Sequence, residues 1–140
     1  MRKLIAAASA LFVLTLVLVL KLSAQPVVGP RDGQAIFRYD TFGDEQLWTD
    51  VLKMDEAVAK VDPATALAVG LKVDVDALPP SVIDALRNKE VDLTDPKVTL
   101  DLLRLNAVVG VKGTVSESGE LKSVGITCAL CHSSVDDSFA

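Results

Sequence analysis

The sequence predicts an α+β fold, mainly α-helical, in which several short helices lead into a β-hairpin and a final helical turn. Three observations carry this expectation. Apolar residues recur at helical spacing beyond residue 44. The pairs Asp62–Pro63 and Asp95–Pro96 each put a capping side chain before a proline suited to the first helical position. From residue 107 the chain turns valine-rich, with glycines and a Ser-Glu-Ser-Gly turn, as a hairpin requires.

The 140 residues make one domain at most, and the N-terminus stands outside it. Arg2 and Lys3 precede an unbroken run of apolar and small residues from Leu4 to Leu20, and Lys21 ends the run. Residues 1–24 therefore read as a secretory signal, with cleavage after Ala24 preferred. The alternative is an uncleaved anchor through residues 4–20, because that run lies at the lower edge of bilayer-spanning length and Leu22 is bulky for its place. Residues 25–106 form a helical region and 107–140 the hairpin and final turn, both parts of one domain. Pro26, Gly29, Pro30 and Gly33 make residues 25–33 a linker.

Without Arg2, Lys3 and Lys21, 11 basic residues face 19 acidic ones, a net charge of −8. So acidic a chain argues against nucleic acid as a partner, and against a membrane except through the N-terminal segment.

The helical region is taken in order. Phe37, Tyr39, Phe42 and Trp48 are four of the five aromatics beyond residue 24, and so dense a group predicts a core cluster, with one wall of a cofactor pocket as the alternative. Thr41-x-x-Asp44 has the form of a capping box. Leu47, Val51, Met54 and Val58, widened by Trp48 and Leu52, predict a helix over 44–60, with Asp50, Asp55 and Glu56 on its wet side. A second helix follows Asp62–Pro63 and stops at Gly70. Leu71, Val73 and Val75 alternate with Lys72, Asp74 and Asp76, which predicts a short strand with a solvated acidic face. Beyond Pro79–Pro80, Val82, Ile83 and Leu86 fit a helix ending near Asn88. Asp95–Pro96 opens another over 97–105.

Val108, Val109, Val111 and Val115 then predict one strand, 116–119 the turn and 120–124 its return. Thr127 stands where it can cap the last helical turn.

That turn carries Cys128-Ala129-Leu130-Cys131-His132, which includes every cysteine and the single histidine of the chain. The pattern C-x-x-C-H is the attachment signature of a c-type haem. Two thiols three residues apart share one face of a helical turn, so both can add to vinyl groups on one side of a porphyrin. His132 follows where its imidazole can serve as the proximal iron ligand. Two other readings compete. Cys128 and Cys131 can act as a redox-active dithiol, although the usual βαβ context is missing. Zinc wants four ligands, and this chain offers three. A plain disulfide leaves His132 unexplained.

Through these five residues the chain resembles the c-type cytochromes. Ser123-Val124-Gly125-Ile126-Thr127 and the segment from Phe37 to Trp48 are similar to a group of secreted bacterial cytochromes with an N-terminal region ahead of the haem domain. The resemblance implies haem c, its iron cycling between ferrous and ferric, a redox partner protein, and a cytochrome c-like C-terminal end. By carry-over, Cys128 and Cys131 hold the haem covalently and His132 ligates iron.

The chain departs from the common class in one respect. Eight residues follow His132, without Met, His or Lys. Met54, the only methionine beyond the N-terminal segment, is the distal-ligand candidate, although its place on an apolar stripe also reads as core. Tyr39 and Lys53 are weaker candidates. Truncation of a longer cytochrome accounts for the missing distal half. The alternative is a complete protein resembling the cytochromes c′, with five-coordinate, gas-binding iron. Ile126, Leu130, Val135 and Phe139 surround the motif locally, and the helices over 44–60 and 97–105 are expected to complete an apolar pocket.

The expected function is electron transfer in the periplasm or outside the cell, with a thiol–disulfide oxidoreductase and a haem ligand-binder as alternatives. No substrate pocket marks an enzyme.

Overall fold

The computed structural model describes residues 32–136. The expected signal or anchor at 1–24, most of the linker and Phe139 lie outside the described residues. Within them, the chain runs α1 (Gly33–Tyr39), a π-helical turn (Leu47–Val51), α2 (Met54–Val58), α3 (Pro63–Ala68), a 3-10 turn (Val75–Ala77), α4 (Pro80–Arg87), α5 (Pro96–Arg104), β1 (Val111–Val115), β2 (Leu121–Ile126) and α6 (Ala129–His132). Mixed helix with one two-stranded antiparallel sheet is the α+β architecture expected. None of the described helices is long and apolar enough to cross a membrane.

The proline-led helices form as their sequences dictate. Asp62 accepts a hydrogen bond from the Thr65 amide at 2.8 Å, and Asp95 one from the Lys97 amide at 2.9 Å. Each satisfies a donor that the first helical turn leaves unpaired. The proline behind each cap has no N–H to satisfy.

α5 is the hub of the packing. Leu102 joins Leu78 and Ala107 in one core cluster, ringed by Val82, Ile83 and Leu86 of α4. The next residue, Leu103, turns the other way and meets Leu121 and Val124 of β2. Leu103 is 1% exposed, and its burial is worth about 2–3 kcal/mol. Val108 touches both clusters and joins them. The hairpin pairs Val111 with Ile126 and Gly113 with Val124, with an irregularity between Thr114 and Val115.

Four expectations are corrected. The helix over 44–60 is not continuous. Leu47–Val51 coils into a π-helical turn, Lys53 takes a left-handed conformation at φ 54°, and α2 starts afresh at Met54. The apolar stripe therefore loses its phase, and Leu47, Val51 and Leu52 stay exposed. Nor do the aromatics form a core: Phe42 and Tyr39 are exposed, and Trp48 donates its indole N–H to Asp44 at 2.6 Å. The capping box is replaced by other bonds. Thr41 donates its hydroxyl to Glu45, while Asp44 serves Trp48 and β2.

The expected strand over 71–75 shrinks to one bridge, Val73 with Val108, before the chain tightens into the 3-10 turn. Its acidic face is not wholly solvated. Asp74 forms an ion pair with Arg38 at 2.9 Å and is mostly covered, which pins α1 to this segment.

The free edge of β2 is covered by side chains. Asp44 accepts from the Ile126 amide at 3.2 Å and Thr49 from the Val124 amide at 3.1 Å. The Phe42 amide donates to the Ile126 carbonyl at 3.1 Å. Residues 41–49 thus occupy donors and acceptors that would otherwise invite another strand.

Candidate haem-attachment site

β2 delivers the chain directly to the site. The Thr127 amide donates to the Gly110 carbonyl at 3.0 Å, which closes the hairpin's open end. The Leu130 amide then donates to the Thr127 carbonyl at 3.2 Å and the His132 amide to the Cys128 carbonyl at 3.3 Å, so the motif winds into one helical turn. Ala129 is wholly buried, and it roots the turn in the protein.

Gly110 lets the turn sit so low. Its φ is +87°, and a Cβ placed there would stand 2.2 Å from the Leu130 Cα. Thr127 does not cap the turn as expected. Cys128 holds the cap position without a side-chain bond, and the Thr127 hydroxyl is buried with no hydrogen-bond partner.

Both cysteines are free thiols, Cys128 half-buried and Cys131 exposed, and His132 is exposed beside them. All three predicted residues thus share one turn at the surface. Met54 heads α2, half-buried, and that helix packs chiefly on β2 and the π-helical turn. Phe42, one of the clustered aromatics, is the one that the structure brings to the motif. The bridge from Thr41 to Thr127 sets it beside the motif, 67% exposed. Val135, on the other side of the motif in sequence, is 61% exposed.

The donor set fits a covalently held haem: two unpaired thiols on one turn, an accessible imidazole next to them, and exposed apolar side chains nearby. A cavity of about 50 Å³ lies elsewhere, between α3, α5 and Val108–Val111, well below the ~300–1,000 Å³ usual for cofactor sites. The expected walls are otherwise engaged, since α5 commits Leu102 and Leu103 to the core and the helix over 44–60 is broken. Among the described residues, no three His, Cys, Asp or Glu side chains converge to hold a metal ion on their own. The single antiparallel hairpin also differs from the βαβ surroundings of a thioredoxin-like dithiol.

Comparison with family models, characterised proteins and solved structures returns no match to this chain.

Proposed function

We propose that this is an exported c-type cytochrome carrying one covalent haem and passing electrons to a redox partner protein. The observation that supports it is the placing of Cys128, Cys131 and His132 on one exposed helical turn, both thiols free. Cys128 and Cys131 would hold the haem through thioether bonds, and His132 would offer an imidazole nitrogen to its iron. Bound there, the haem supplies a one-electron ferrous–ferric couple.

The chain's own part is to hold this turn rigidly. The Gly110 carbonyl, Ala129 and the hairpin anchor it from below, while the hydrophobic faces of Phe42 and Val135 are available to shield one side of a ring. Export to the periplasm or cell exterior matches both the leader-like N-terminus and the place where such haem attachment occurs. An open setting should lower the reduction potential relative to a buried, methionine-ligated haem.

The test is a haem stain on a denaturing gel, after expression with the native leader in a host that matures c-type cytochromes. A haem-positive band that survives denaturation supports the proposal. A colourless, stably folded protein overturns it and favours the dithiol reading, for which the exposure of Cys131 speaks. Carbon monoxide binding to the reduced protein without ligand displacement identifies an open iron position.

A further inference from the structure

The two edges of the hairpin are finished differently. In an antiparallel ladder, residues alternately face the partner strand and the outer edge. The Val124 and Ile126 amides point away from β1, to Thr49 and Asp44. Their partners in register, Gly113 and Val111, therefore point away from β2. Val115 does so by the same alternation, since the next residue, Ser116, donates inward to the Glu120 carbonyl. This outer edge of β1 is covered at its start. The Asp74 amide donates to the Ala107 carbonyl at 2.8 Å and the Val109 amide to the Lys72 carbonyl at 2.9 Å, but the Leu71 amide then turns to Ala66. Leu103 of α5 packs under the face of β1 at Gly113. Among the described residues, no hydrogen bond from outside the hairpin reaches Gly113 or Val115.

The sequence of this edge complements itself. Val111-Lys112-Gly113-Thr114-Val115 keeps its pattern when read backwards through Gly113. Valine then meets valine, glycine meets glycine, and Lys112 meets Thr114. A lysine on an edge strand usually discourages pairing, but this register never sets two of them face to face. Val111 and Val115 are both half-buried, so each keeps apolar surface for a neighbouring strand to cover.

We propose that β1 pairs with β1 of a second copy of the chain, antiparallel about a two-fold axis at Gly113. Gly113 exchanges both of its outward hydrogen bonds with its counterpart, and each Val115 amide donates to the Val111 carbonyl of the other copy. The strand is five residues long, which places the interface in the weak class below ~1,200 Å². A Kd on the order of 100 µM is expected. The pairing is separate from the haem-attachment turn and stands whether or not that reading holds.

The test uses the exported protein, with a thiol reductant present so that the exposed Cys131 cannot cross-link two copies. Sedimentation velocity from about 10 µM to about 1 mM should show a reversible monomer–dimer equilibrium. The Gly113 and Val115 amides should become protected from hydrogen exchange as concentration rises. Thr114 is exposed, so its substitution spares the fold and acts across the axis on Lys112. Thr114→Glu should tighten the dimer about 2–10-fold, and Thr114→Lys should weaken it by a similar factor. A monomer throughout, or two variants that move the equilibrium in the same direction, overturns the proposal. So does a dimer that leaves both amides unprotected, which puts the contact on another surface. Protection that is independent of concentration overturns it as well, because a segment of the same chain then covers the edge.

Discussion

A Cβ on Gly110 would lie 2.2 Å from the Leu130 Cα, so the backbone of the motif's turn rests directly on the backbone of residue 110. No side chain can move aside to relieve that approach. Gly110→Ala should therefore destabilise the protein by about 2–4 kcal/mol. Gly119 shares the left-handed conformation at φ +85° but has nothing within 4 Å of its Cβ position. Gly119→Ala should cost only about 1–2 kcal/mol. Urea denaturation of the two variants checks the difference, and equal losses would refute the close-packing account.

Asp44 serves two donors, the Trp48 indole and the Ile126 amide. Asp44→Ala leaves both without an acceptor and uncovers the edge of β2. A loss of about 2 kcal/mol is expected, with new oligomers in light scattering as the edge becomes available. A variant as stable and monodisperse as the parent would show that water replaces the carboxylate.

Met54 heads α2, on the apolar stripe that reads as core. Met54→Leu keeps the volume, so it should cost under about 1.5 kcal/mol and leave the haem spectrum unaltered. His132→Ala should alter that spectrum profoundly while both thiols stay in place. A spectral change in Met54→Leu would instead give Met54 the distal-ligand role.

The Asp62 carboxyl is held below its ordinary value of 3.8, chiefly by the Thr65 amide and then by the Thr65 hydroxyl. Asp92 is lowered in the same direction by the Thr94 hydroxyl and amide. A carboxyl depressed on folding adds stability that is fully present above its unfolded value. That stability drains away as pH falls through the lower folded one. Asp62→Asn should thus melt earlier than the parent at neutral pH, and the gap should close in acid below the ordinary carboxyl range. Thermal melts across pH 2–7 measure it, and a gap that is constant with pH would rule out the carboxylate as its source.

The parts of the fold that could be read in the chain are those governed by near neighbours. Asp62–Pro63 and Asp95–Pro96 start helices because cap and proline act within one turn. The valines of 107–126 form a hairpin because Ser116 to Gly119 turns the chain locally. Cys128, Cys131 and His132 were legible as a site because a single helical turn brings them together.

Distant partners made the rest illegible. The apolar stripe from Leu47 to Val58 has helical spacing, yet Thr49 and Asp44 are engaged by β2 amides some 75 and 82 residues away. Those bonds belong to a π-helical turn and a left-handed Lys53 where periodicity predicted a straight helix. Phe42 stood out among the aromatics, but its place beside the motif depends on the bridge from Thr41 to Thr127.

The sequence by itself determined the capped helices, the hairpin and the gathering of Cys128, Cys131 and His132 on one turn, because each depends on contacts within a turn or between adjacent strands. Only the tertiary structure decided how those pieces meet: the seating of Leu130 on Gly110, the edge of β2 covered by residues 41–49, and the open surface around His132. Long-range hydrogen bonds and close packing set these, and no local pattern encodes which distant backbone a side chain will satisfy.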